Sequence, residues 1–139
     1  MGLGEAVTAE RPAPDIVAGL GFRHAASTEA IRALIHRAFD DARLPLTRLA
    51  CLATPADRAG EPAIGAVAAH LGRPLVPVSA DAMVAVDAQV VTRSGRIAAS
   101  RGVGSVAEAA ALAAAGDGAT LLLARIASAE ATCALALCR

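Results

Sequence analysis

An apolar run that ends on two closely spaced glycines and then re-enters a helix constrains this chain more than any other feature. Ile16-Val17-Ala18 supplies a buried strand, and Gly19 and Gly21 let the backbone turn tightly or approach another group closely. Ser27 or Thr28 can cap the next helix, whose free N–H groups would face the same loop. Arg23 and His24 beside a helix N-terminus favour an anion. A plain strand–loop–helix joint explains the same residues. The glycines do not complete a dinucleotide fingerprint, because His24 occupies the place of the third glycine and no acid is well placed downstream. A nucleotide site is therefore rejected.

The remaining elements alternate between strand and helix. Over Thr28 to Arg43, the residues Ile31, Leu34, Ile35, Ala38 and Phe39 form one apolar stripe. His36 and Asp40, four apart, can pair on the exposed side. Leu49 to Ala53 reads as a second buried strand. The polar, turn-rich run Thr54 to Pro62 leaves it at the position where ligands bind in open α/β sheets. A helix through Ile64, Val67, Ala68 and Leu71 stops at Gly72 and Pro74. Leu75 to Val78 is a third strand, whose Pro77 suggests an edge position. Ser79 to Val84 forms one helical turn, and beyond it the pattern admits only a short helix near Arg96 to Ser100.

Ser105-Val106-Ala107-Glu108 is a capping-box pattern, in which Ser105 and Glu108 would satisfy orphan N–H groups reciprocally. The alanine-rich helix after it, through Ala115, must be buried. Thr120 to Ile126 and Thr132 to Leu137 read as a terminal hairpin. Residues 1–14 have no clear period and are expected to be an irregular leader, with residues 15–139 forming one domain. The expected fold is α/β: a single three-layer α/β/α domain with a mixed sheet of about five strands and a C-terminal hairpin.

Composition narrows the function classes. There is no Trp or Tyr, so the core must be aliphatic, and single-stranded nucleic acid would lack stacking platforms. Formal charge is balanced, which disfavours a general polyanion binder. No apolar run approaches a membrane span, no signal-peptide layout is present, and a cytoplasmic location is expected. Cys51, Cys133 and Cys138 have neither metal spacing nor a CxxC pair, and they read as reduced small hydrophobes. No metal and no cofactor is expected. Every strong cation is arginine, a planar fork suited to carboxylate or phosphate.

Polar groups collect at the loop starts. If the first two strands are parallel neighbours, Gly19, Gly21, Arg23, His24 and Ser27 share one side of the sheet with Thr54, Arg58 and Glu61. Ser105 marks a third helix start. Such a cleft wants a ligand bearing carboxylates. Ser27 and Ser105 read as caps rather than nucleophiles. Glu61, the acid that local structure leaves unexplained, is the candidate acid or base, with His24 second.

The segments "GLGFRHAASTEAI", "LATPADRAGEPAI", "VSADAM", "GVGSVAEAAAL" and "ARIASAEATCALA", in this order, resemble the CobE family, homologous to the C-terminal domain of CbiG, from Asp15 almost to the end. Phe22, His24 and Ala25 replace the cysteine, second arginine and third glycine usual in that family's first loop, which argues against a thiol role there. Arg58 and Arg125 stand where the family often has lysine. The resemblance implies a role in cobalamin biosynthesis, with a precorrin or corrinoid intermediate as partner. Three readings follow: a protein that binds or carries a precorrin, a precorrin lactone hydrolase using Glu61 or His24, or an adaptor docking other pathway enzymes. In the first, Gly19, Gly21, Arg23, Ser27, Thr54, Arg58 and Ser105 form the binding set.

Overall fold

The computed structural model describes residues 13–95 and 101–139. Residues 1–12 of the expected leader, and the short helix expected near residues 96–100, lie outside them. The strands are β1 (Ile16–Phe22), β2 (Leu49–Pro55), β3 (Leu75–Val78), β4 (Thr120–Ala127) and β5 (Ala131–Leu137). The helices are α1 (Thr28–Ala42), α2 (Pro62–Leu71), α3 (Ala80–Ala85) and α4 (Val106–Ala115). One mixed sheet runs in the order β3-β2-β1-β5-β4. The first three strands are parallel, while β5 is antiparallel to both β1 and β4. The expected five-stranded α/β domain with a closing hairpin is what forms, and Pro77 does sit in an edge strand.

The period-two pattern of β1 divides the core into two layers. Ile16, Ala18 and Leu20 join Leu49, Leu52, Cys133 and Leu135 under the stripe of α1 and the Ile64–Val67 face of α2. Val17 and Ala53 face the other way, against Ala110, Ala111 and Leu112 of α4 and Met83 of α3. The helix Thr28–Ala42 is capped by Ser27, whose Oγ accepts from Ala30 N at 3.0 Å, and it closes on left-handed Arg43. Its surface ion pairs are Arg32 with Glu29 and Arg37 with Asp41, the latter at 3.7 Å, rather than the expected His36 with Asp40. Burial pushes the Cys133 thiol up to about 12, so this cysteine is an inert core residue.

Two further expectations need correction. Strand β1 does not end at its glycines: it pairs with β5 through Gly19↔Ala134, Gly21↔Thr132 and Phe22↔Ala131. Neither glycine has a positive φ. They are glycine for space. A Cβ on Gly19 would stand 2.0 Å from the Ala107 carbonyl oxygen and 2.6 Å from Ala111 N, and one on Gly21 would stand 2.8 Å from Thr132 Oγ1. The second correction concerns the capping box, which is half formed. Ser105 Oγ accepts from Glu108 N at 3.3 Å, but the Glu108 carboxylate turns away to the N–H groups of Val91, Thr92 and Arg125.

Candidate functional site

Parallel pairing of β1 with β2 brings the β1–α1 loop and the Ala56–Arg58 turn to one edge of the sheet. Because β5 runs antiparallel to β1, the β4–β5 turn at residues 128–130 opens at that edge too. Together with Val106 at the start of α4, these loops enclose a cleft of about 440 Å³. That is within the range of about 300–1,000 Å³ typical of small-ligand sites. Among the described residues its lining carries four arginines, Arg23, Arg58, Arg101 and Arg125, against a single acid, Glu130.

The four cations divide by their partners. Arg58 is built into the wall: Nη2 donates to the Phe22 carbonyl, Nη1 donates to His24 Nε2 at 3.0 Å, and the guanidinium lies 4.9 Å over the Phe22 ring. Arg101 pairs with Asp57 at 2.9 Å and holds that carboxyl below its ordinary range. The guanidiniums of Arg23 and Arg125 have no partner among the described residues. Glu130 is occupied, accepting from Ser27 N at 2.9 Å. Two planar, charged forks therefore face the cleft uncompensated, which favours ligands with carboxylates.

Thr54 lies at the floor, fully buried, where the β1–β2 register ends at Gly19 opposite Ala53. Its Oγ1 donates to the Leu20 carbonyl at 2.8 Å, so it joins the two strands rather than offering its hydroxyl proton to a ligand. Thr54→Val is expected to cost about 1 kcal/mol through the lost bond, and a melting curve checks this. An unchanged midpoint would show that the Leu20 carbonyl finds another donor.

The other expected site residues scatter. Gly21, Arg23, Thr54 and Arg58 line the cleft. Gly19 is buried beneath α4 and Ser105 beside it, with the Ser105 hydroxyl spent on the helix cap. Ser27 caps α1. The N–H groups bonded by Ser27 and Ser105 are therefore taken by protein oxygens. His24 and Glu61 do meet, Nδ1–H donating to Oε2 at 3.1 Å, in the tautomer that leaves Nε2 free to accept from Arg58. The pair sits behind Arg58 and outside the cleft lining, with the His24 side chain 78% exposed.

Reasoning from sequence did not assign Arg101, Arg125, Glu130 or Thr132 to the site. The hairpin that carries the last three was legible, but its docking against β1 was not.

This geometry can be set beside known proteins. The chain matches the family described as "Cobalamin synthesis G C-terminus" over residues 16–136. It belongs to that family. Protein CobE of Sinorhizobium sp. is 38% identical over 121 residues, spanning 87% of this chain and 79% of that protein. Among solved structures, a CobE from the cobalamin biosynthetic pathway superposes with a TM-score of 0.83 at 32% identity, covering 93% of this chain and 96% of that one. The cobalamin biosynthesis protein chiG of Agrobacterium tumefaciens gives 0.71 at 32% identity, with 88% and 97% covered. A putative cobalamin biosynthesis protein G homolog from Sulfolobus solfataricus shares the fold at 0.68 and 22% identity, this chain corresponding to 38% of its length. The chain is thus a cobalamin-biosynthesis protein of the CobE and CbiG C-terminal type. Among the described residues no helix is long and apolar enough to cross a membrane, and no cluster of three His, Cys, Asp or Glu side chains could hold a metal ion.

Proposed function

We propose that the cleft binds a carboxylate-rich precorrin intermediate of corrin-ring formation and carries it between cytoplasmic enzymes of the pathway. The observation that carries this reading is the pair of guanidiniums, Arg23 and Arg125, that have no partner among the described residues, in a cleft where the one acid among those residues, Glu130, is already engaged. Corrin precursors bear acetate and propionate arms, and each can accept a bidentate pair from such a fork. Val106, Phe22 and Pro55 give the same cleft apolar surface for the ring. Other enzymes of the pathway are the expected partners in the hand-over.

The test is gel filtration of the protein with hydrogenobyrinic acid, a metal-free corrin polycarboxylate, read by visible absorbance. Co-elution with an unchanged spectrum is expected. Separate elution at micromolar concentration would remove the carrier reading.

A second reading, precorrin lactone hydrolysis, is favoured by the His24–Glu61 contact, a base beside an acid. It ranks lower because the pair lies outside the cleft lining. Ring opening of a lactone-bearing precorrin by the wild type, lost in Glu61→Gln, would establish it. A lactone that stays intact beside the protein would exclude it.

A further inference from the structure

Glu108 is a fully buried carboxylate in a helix otherwise made almost wholly of alanine and leucine. Its position after Ser105 suggests the reach-back bond of a capping box, yet the carboxylate is used elsewhere. Oε1 accepts from Val91 N at 2.8 Å and Thr92 N at 3.1 Å, and Oε2 accepts from Arg125 N at 2.8 Å. The last contact falls at a defect in the sheet. Leu123 pairs with Leu135 and Ile126 with Cys133, so Ala124 and Arg125 together face the single residue Ala134. Such a bulge leaves an N–H out of the ladder and re-aims a side chain. Here the freed N–H belongs to Arg125, whose side chain lines the cleft.

We propose that Glu108 is a positioning residue for ligand binding: its two oxygens lock the β4 bulge to the 91–92 segment and thereby hold Arg125 at the cleft. This rests on reading the cleft as a carboxylate site. The chemistry requires a carboxylate rather than an amide. Three N–H donors converge on two oxygens, whereas glutamine of the same size has one acceptor oxygen and would turn its NH₂ toward a donor. Burial raises the Glu108 pKa, but the Arg125 N–H, the Thr92 hydroxyl and the N–H groups of Thr92 and Val91 together outweigh it and hold the group below the ordinary carboxylate range. A depressed folded-state pKa gives stabilisation that is present above the ordinary range and lost as pH falls through the folded value.

Two measurements test this. In ¹⁵N-labelled wild type, the amides of Val91, Thr92 and Arg125 are expected to resist exchange and to shift together on acidification, with one apparent pKa below the usual carboxylate range. Three independent titrations, or an Arg125 amide that exchanges freely, would overturn the proposal without any variant being made. The second measurement is a binding cycle with hydrogenobyrinic acid. Glu108→Gln is expected to weaken binding about tenfold in the wild type and by less than about twofold in an Arg125→Ala background. An equal loss in both backgrounds would mean a merely structural role and would also overturn it. If the wild type itself does not bind, the cleft reading and the ligand role of Glu108 fall, and the amide titration alone decides whether Glu108 holds the bulge.

Discussion

Gly19→Ala is expected to lower the melting temperature by about 10 °C or more, a loss of at least about 3 kcal/mol. The added methyl would stand 2.0 Å from the Ala107 carbonyl oxygen, 2.6 Å from Ala111 N and 2.8 Å from Ala111 Cβ. These are backbone atoms and a Cβ, none of which can rotate away, so α4 must lift from the centre of the sheet. The layer it seals there, with Val17, Ala53, Leu112 and Ala136 fully or nearly fully buried, would open with it. A cost of that size is a large share of the about 5–15 kcal/mol that holds a domain together. Gly65→Ala is the control. Gly65 lies in α2 with nothing within 4 Å of its would-be Cβ, and alanine there should add about 0.5–1 kcal/mol. Thermal unfolding of the two variants side by side checks both signs. A Gly19→Ala protein that melts with the wild type would mean that α4 does not press on β1 at this residue.

The double variant Arg23→Ala/Arg125→Ala is expected to lose about a hundredfold or more in affinity for hydrogenobyrinic acid, each charge-assisted contact contributing about 1.5–3 kcal/mol. Its melting temperature should hold, because neither guanidinium has a partner among the described residues. Arg58→Ala should behave differently. That side chain bonds the Phe22 carbonyl and His24 and covers the Phe22 ring, so its removal should weaken binding and stability together. Absorbance titrations with parallel melting curves separate the two patterns. Added salt should weaken wild-type binding and have less effect on the double variant. Wild-type affinity in the double variant would remove this cleft as the binding site.

The elements were legible because each carries a local signal. The apolar stripe of Thr28–Ala42, the Gly72 stop, the proline in β3 and the terminal hairpin follow from periodicity and turn chemistry that act within a few residues. The roles of the glycines in β1 were not legible. A glycine needed for a positive φ and one needed for space look alike in sequence, and the Ala107 carbonyl that distinguishes them arrives from a helix far along the chain. Glu108 was misread for a related reason. The capping-box pattern accounts for its acid locally, while its actual donors come from the 91–92 segment and from a bulge in another strand.

The candidate site divides along the same line. Arg23, Thr54 and Arg58 were found because loops after parallel strands share an edge, a rule that needs only the order of strands and helices. Arg101, Arg125 and Glu130 depended on where the hairpin and Arg101 itself come to lie against the sheet edge. Sequence alone determined the α/β class, the aliphatic core, the arginine-only chemistry and the family. Only the tertiary structure decided which arginines remain free and which are tied into the wall. Pairing energies depend on distances between groups remote in sequence, and those distances exist only once β5 has settled between β1 and β4.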